Sequence, residues 1–210
     1  MSYRDALNIH ELQAMAKRRL PRGVYGFVAG GVEDDHALRN NRNVFERIRF
    51  RTRSPADVSG RSQEVEIFGR TFASPFGIAP MGIAGVFSFE ADLALARAAA
   101  RMKVPFTLSN MSMIPMETVA QSGDHARWLQ AYMANNREQG AKFARRADAA
   151  GYEVLMITTD VPVQANRENN IRNGFSLPLE VGPRLILQGL THPRWSASVF
   201  ARTVMKYGIP

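Results

Sequence analysis

Ser109, Gln130 and Thr158 each close, or nearly close, a short apolar run, and the runs recur at about the interval of one β/α unit. The runs are Phe76-Gly77-Ile78-Ala79-Pro80, Val104-Pro105-Phe106-Thr107-Leu108-Ser109, Trp128-Leu129-Gln130-Ala131-Tyr132 and Val154-Leu155-Met156-Ile157-Thr158. Buried parallel strands read as continuous apolar runs because helices cover both faces of the sheet. Barrels of such strands place their chemistry at the strand C-termini. Hydroxyls and a carboxamide offer hydrogen bonds without charge, which suits a heteroaromatic ring bearing carbonyls and ring nitrogens, such as a flavin. The plainer alternative is that polar residues simply finish strands and cap the helices that follow. After the first run, Ala79-Pro80-Met81-Gly82 carries little side-chain bulk, so a flat ligand could lie against its backbone. Tyr132, two positions past Gln130, falls on the same side by strand alternation, where its phenol could bond a substrate hydroxyl. Arg167, on a long loop over the mouth, could pair with a carboxylate, although a lone loop arginine is usually only solvated.

The elements that must position these residues follow from pattern. Asn8 with Glu11 forms a helix N-cap pair, and Ile9, Leu12, Ala16 and Leu20 keep helical spacing until Pro21. Residues 22–31, rich in glycine, read as a turn or loose helix start, and 34–47 as a helix with Leu38, Val44 and Phe45 inward. A hairpin is expected around Val65-Glu66-Ile67-Phe68-Gly69. Helices are then expected over 90–102, from near Pro115, and over 136–150 with Gly151 ending the last. Strand and helix alternating at this rhythm means parallel βαβ units. No G-x-G-x-x-G follows the first run, which removes the best support for a nicotinamide-binding fold. A four-strand open sheet would leave apolar edges unpaired. Closed (β/α)8 barrels typically need ~250 residues. The expectation is therefore the N-terminal half of a (β/α)8 barrel (residues 71–210, the first four β/α units and the start of a long loop) behind a helical capping segment (residues 1–70).

Bulk properties bound the function. The 210 residues are 45% hydrophobic and 22% charged, ordinary for a globular chain. No apolar run approaches the ~20 residues of a membrane span. The first residues lack the apolar core of a signal peptide, and cysteine is absent, which excludes disulfides, thiolate metal sites and cysteine catalysis. A cytoplasmic location and no metal site are expected. Lys+Arg 27 against Asp+Glu 19 gives +8, which favours anionic partners. Arg47, Arg49, Arg51 and Arg53 alternate with Ile48, Phe50 and Thr52, so a strand here would present an arginine face, read as a solvated flank. Without stacking aromatics or a reading helix, nucleic acid is not expected as a partner.

Several segments together resemble the FMN-dependent α-hydroxy acid dehydrogenases and oxidases, which include glycolate oxidase, L-lactate dehydrogenase and mandelate dehydrogenase. They are Leu20-Pro21, Val24-Tyr25-Gly26-Phe27, Gly30-Gly31-Val32-Glu33-Asp34, Asn41-Arg42-Asn43-Val44-Phe45, Ile78-Ala79-Pro80, Gln130-Ala131-Tyr132, Thr158-Thr159-Asp160-Val161-Pro162 and Arg167-Glu168. The resemblance implies FMN held non-covalently at the barrel mouth, with Pro80, Met81 and Gly82 touching the ring through backbone and Ser109, Gln130 and Thr158 bonding it. It implies that Tyr132 touches both flavin and substrate hydroxyl, and that Arg167 and the position of Phe27 face the substrate. The implied reaction oxidises a small L-2-hydroxy acid to the 2-oxo acid, passing electrons to oxygen, a quinone or a cytochrome, in a protein that is homo-oligomeric when complete. Thr191-His192-Pro193-Arg194-Trp195 looks most like the membrane-associated bacterial members.

Departures from the family pattern matter as much. Much of the family has a tyrosine where Phe27 stands, so one hydroxyl toward the substrate carboxylate is missing. A lost hydrogen bond to a charged group costs on the order of 1.5–3 kcal/mol. The usual Gln-Leu-Tyr is Gln130-Ala131-Tyr132 here. The chain ends before the segments corresponding to the family's flavin-binding lysine, catalytic histidine, carboxylate-binding arginine and phosphate-binding glycines. His10, His36, His125 and His192 are not expected at strand ends, so none is a good base. On these grounds the 210 residues alone are expected to hold FMN weakly and to turn over nothing. Alternatives are a non-catalytic fragment with a partial flavin pocket, or another FMN-barrel oxidoreductase. Residues 184–207 mix aliphatics and Trp195 with Arg184, Arg194, Arg202 and Lys206. They would either lie on the inner face of a bacterial cytoplasmic membrane or pack on the rest of the barrel.

Overall fold

A computed structural model describes residues 3–124, 126–132, 136–160, 163, 165–176, 179 and 182–209. In chain order the elements are α1 (Ile9–Arg19), α2 (Arg22–Ala29), α3 (His36–Asn43), β1 (Val65–Ile67), β2 (Arg70–Phe72), α4 (Ala91–Met102), β3 (Phe106–Ser109), α5 (Met116–Ala120), β4 (Arg127–Tyr132), α6 (Arg137–Ala149), β5 (Val154–Thr158), α7 (Glu168–Asn173), α8 (Pro183–Thr191), α9 (Pro193–Trp195) and α10 (Arg202–Tyr207), with a π-helical stretch over Ser196–Ala201. The chain divides into two compact units, Met1–Pro55 with Val163–Pro210, and Ala56–Pro162.

The Ala56–Pro162 unit is built on a parallel sheet in the order β3-β4-β5. Apolar side chains fill its centre: Phe106, Leu108, Leu129 and Ala131 are buried, as are Ala96, Ala99 and Val119 of the neighbouring helices. Alanine at these helix positions lets α4 approach the sheet closely, since it carries no side chain beyond Cβ. The expected hairpin forms as β1-β2, turning on Phe68 and Gly69 at positive φ. It brings Phe68 and Phe72 edge-on to Trp128 near the start of β4, at 5.6 and 5.9 Å between ring centroids. The Asn136 side chain caps α6 by accepting from the Glu138 and Gln139 amides. The first apolar run does not form the expected strand. Only Ile78 bridges to Phe106, with its amide on the Pro105 carbonyl at 2.9 Å. Pro75 and Pro80 bracket it and supply no N–H to a ladder.

In the other unit, the N-terminal cap appears as the spacing predicts. Asn8 Oδ1 accepts from the Glu11 amide at 3.0 Å, and Glu11 Oε2 accepts from the Leu7 amide at 2.9 Å. Residues 22–29 are a regular helix rather than a turn. The glycines permit close packing on α7: a Cβ at Gly26 would stand 2.6 Å from Asn173 Nδ2. α3 ends at Asn43 and tightens into a 3-10 turn over Val44–Arg47. Leu38, Val44 and Phe45 are exposed, Phe45 at 70%, and not inward. The sequence His-Ala-Leu-Arg-Asn-Asn-Arg-Asn holds too few apolar residues for a buried stripe. Residues 48–53 form no strand, so no arginine face is presented there.

α6 ends against Gly151 at φ +79, where a side chain is strained. Gly151→Ala is expected to lower stability by about 1–2 kcal/mol. A Cβ at Gly60 meets nothing, so Gly60→Ala serves as control, expected within about 0.5 kcal/mol of the parent. Urea unfolding midpoints of the two variants and the parent check this.

Candidate functional site

The pairing register brings the strand-end polar residues into one row. Ser109 stands opposite Gln130 across β3-β4, and Tyr132 opposite Thr158 across β4-β5. Gln130 is the link. Its Oε1 accepts from Ser109 Oγ at 3.3 Å and from the Asn110 amide at 3.2 Å, while its Nε2 donates to Thr158 Oγ1 at 2.8 Å. These partners orient the amide, with oxygen toward β3 and nitrogen toward β5. Gln130 is only 4% exposed, and an amide buried at that depth is tolerated because both of its ends are bonded. Among the described residues no charged group bonds to the row, so its donors and acceptors can be re-partnered by a neutral polar ring without an ionic penalty.

Gly82 borders this row. A Cβ there would stand 3.0 Å from Met111 Cβ and 3.9 Å from Ser109 Oγ, so any side chain would displace Met111. The next residue, Ile83, holds φ +48, a conformation that β-branched residues seldom adopt, and its amide is tied to the Met111 carbonyl at 2.9 Å. Pro80 is half-buried just before, and Met81 is exposed. At the end of β4, Tyr132 is 49% exposed while Gln130 is buried, so the phenol is open to whatever occupies the row's outer side. Small backbone, neutral polar side chains and one accessible phenol fit the edge and face of a flavin ring. Ser109, Gln130 and Thr158 would hold it by hydrogen bonds, with Gly82 leaving the backbone approachable.

Phe27 and Arg167 belong to the other unit and meet there. Arg167 is the N-cap residue of α7 rather than part of an open loop, and its guanidinium lies 5.6 Å from the Phe27 ring centroid. Phe27 also packs on Phe175 at 4.9 Å. Among the described histidines, His10 and His36 lie on α1 and α3, and His192 Nδ1 contacts the Gln188 carbonyl; none is at a strand C-terminus. His125 lies outside the described residues. Among the described residues no cluster of ligating side chains could hold a metal ion.

A cavity of about 310 Å³ lined by Glu117, Arg127 and Arg146 lies at the N-terminal end of β4. Arg146 pairs there with Glu117 at 2.6 and 2.9 Å, and that hydrogen bond holds the Glu117 carboxyl below its ordinary pKa. Burial pushes the Tyr152 phenol above its usual range while its hydroxyl donates to the Met116 carbonyl. That cavity is at the wrong end of the strands for barrel chemistry. Sequence reasoning missed the Asn110 amide and the buried Asp92. An acidic residue in a first helical turn reads as ordinary dipole complement, and nothing in the sequence signals its partner.

The family described as FMN-dependent dehydrogenase matches residues 16–208. (S)-Mandelate dehydrogenase of Pseudomonas putida is 35% identical over 98% of this chain and 51% of its own length. An L-lactate dehydrogenase of Pseudomonas syringae pv. syringae (strain B728a) is 35% identical over 90% of this chain and 50% of its own. The crystal structure of the monotopic membrane protein (S)-mandelate dehydrogenase superposes with a TM-score of 0.87, covering 98% of this chain and 54% of that one. The chain thus spans about half the length of the curated relatives it matches. The fold is part of a (β/α)8 barrel, as the strand–helix rhythm predicts.

Replacing Gln130 by methionine keeps its length and removes both ends of the link. Ser109 Oγ, the Asn110 amide and Thr158 Oγ1 then lose a partner. Gln130→Met is expected to lower stability by roughly 1–3 kcal/mol in chemical denaturation. An unchanged midpoint would show that the row is not bonded as described.

Proposed function

The chain belongs to the FMN-dependent dehydrogenase family, and on that premise we propose that it supplies the flavin-facing part of a site that oxidises a small L-2-hydroxy acid to the 2-oxo acid. The observation that carries the reading is the Ser109–Gln130–Thr158 row on adjacent strand ends. FMN, when bound, is the acceptor for the two electrons and the hydrogen leaving C2 of the hydroxy acid. Ser109, Gln130 and Thr158 orient the ring, and Gly82 keeps its approach clear. Tyr132 donates to the substrate hydroxyl and helps hold the orientation from which that hydrogen leaves. The family resemblance assigns the substrate carboxylate to Arg167, whose guanidinium lies 5.6 Å from the Phe27 ring in its own unit. Because Phe27 carries no hydroxyl, that carboxylate has one donor fewer than in family members with tyrosine there. The proton of the substrate hydroxyl goes to a base outside the described residues, since no described histidine stands at a strand end. The relatives named above act, by their names, on mandelate and L-lactate, which is the substrate class proposed here.

The 210-residue chain titrated with FMN is expected to quench its fluorescence saturably but weakly, and to leave it oxidised after L-lactate or (S)-mandelate is added. Gln130→Met is expected to abolish the quenching. Quenching that survives Gln130→Met would contradict the proposed site. In a chain of the relatives' full length, Tyr132→Phe is expected to lower kcat more than it raises KM, and an equal kcat would remove Tyr132 from the mechanism.

We propose further that the tail contacts an anionic membrane surface. Among the described residues no helix is long and apolar enough to cross a membrane. On α8, Leu187 and Leu190 are 64% and 72% exposed, with Ile186 open beside them. Arg184 and Arg194, both exposed, lie before and after this stretch in sequence. Trp195 is not part of it, being buried and stacked on Phe200 at 5.2 Å. Apolar side chains rimmed by cations suit an interface rich in anionic lipid. The competing reading is that the same face packs on the rest of the barrel. Sedimentation with phosphatidylglycerol vesicles is expected for the parent and lost in Leu187→Glu/Leu190→Glu. Equal pelleting of both would favour packing.

A further inference from the structure

We propose that Asp92 is a positioning residue: through Ser112 it anchors the loop over 109–114 to the start of α4, and so keeps Ser109 and the Asn110 amide on Gln130. Its link to flavin rests on the function proposed above; its link to the loop does not.

Asp92 sits in the first turn of α4 and is 1% exposed. Among the described residues no ion pair reaches it. A carboxyl buried without a cation is costly, and burial pushes it above its ordinary pKa, opposed chiefly by the Ser112 hydrogen bond. What it gains is one contact across to the loop after β3: Ser112 Oγ donates to Asp92 Oδ2 at 2.8 Å. That hydroxyl in turn accepts from the Ile114 amide at 3.1 Å. Loop residues on either side are tied into the candidate site. The Ser112 amide donates to the Ser109 carbonyl at 3.0 Å, the Met111 amide to Ser109 Oγ at 3.1 Å, and the Asn110 amide to Gln130 Oε1 at 3.2 Å. The Met111 carbonyl also holds the left-handed Ile83 next to Gly82.

One buried carboxyl therefore sits behind both backbone segments that border the row. Alanine has the better intrinsic helix propensity, but it would give up a first-turn carboxyl that complements the helix dipole and bonds its own backbone amide. Its side chain serves the loop as well as the helix. Simple packing would be satisfied by an apolar residue of similar size, whereas the loop needs an acceptor at that point.

Hydrogen exchange followed by mass spectrometry on the loop amides, with FMN fluorescence titration alongside, tests this. Asp92→Ala is expected to speed exchange across 109–114 and to weaken FMN binding, each by about ten-fold, the size of one lost hydrogen bond to a charged group. Asp92→Asn, which keeps an acceptor and no charge, is expected to recover part of both, a hydrogen bond between neutral groups being the weaker. Ser112→Ala, which removes the donor from the other side, is expected to behave like Asp92→Ala and serves if that variant does not fold. Ala96→Gly, on the buried face of the same helix, controls for general loosening and should leave the loop unchanged. Loop exchange unaltered in both Asp92→Ala and Ser112→Ala overturns the anchor, as does a loop that exchanges as fast in Asp92→Asn as in Asp92→Ala. If the loop loosens as expected while the parent itself gives no FMN response, the anchor stands and the flavin reading falls.

Discussion

A single carboxamide governs this site. Gln130 is buried at the C-terminal end of the middle strand, where an amide with either end unpaired would be strongly disfavoured. Parallel register satisfies it: the end of β3 presents a hydroxyl and the next residue, Asn110, a backbone amide to its oxygen, and β5 presents a hydroxyl to its nitrogen. The sheet order β3-β4-β5 is thus a requirement of the polar row as well as of the hydrophobic core. A shift of either neighbouring strand by one residue would point its polar end away from the amide.

Around that amide the backbone is arranged with little slack. Gly82 leaves no room for a side chain beside Met111, and Ile83 holds a left-handed conformation that the Met111 carbonyl secures. Strain of this kind persists only where neighbouring contacts over-determine it. The Asp92–Ser112 contact is one of those neighbours, joining the first turn of α4 to the loop after β3. A flat polar ring that replaced some of the row's internal hydrogen bonds would meet a surface already set in place, which lowers the ordering cost of binding.

The sequence makes some of this visible and hides the rest for identifiable reasons. Runs such as Val104–Ser109 and Val154–Thr158 are legible as strands because nothing else buries continuous apolar sequence so briefly. The Asn8–Glu11 cap and the Gly151 stop are legible because their chemistry is local. Phe76–Pro80 misleads because hydropathy does not register the N–H groups that proline withholds. α2 is hidden by its glycines, whose use becomes clear only when Asn169 and Asn173 are seen packed against them. α3 misleads the other way, since a helical segment with scattered apolar residues need not bury them. The polar row could be listed from sequence, but its connectivity through Gln130 could not, because hydrogen-bond direction depends on register. Asp92 was invisible because its partner is far along the chain.

The most direct measurement of the central claim is a side-chain amide NMR titration of the isotopically labelled chain with FMN. The account predicts that the Gln130 carboxamide and the Asn110 backbone amide shift together and saturably as FMN is added. Shifts confined to the arginine-rich residues 47–53, with the Gln130 and Asn110 resonances unmoved, would contradict it.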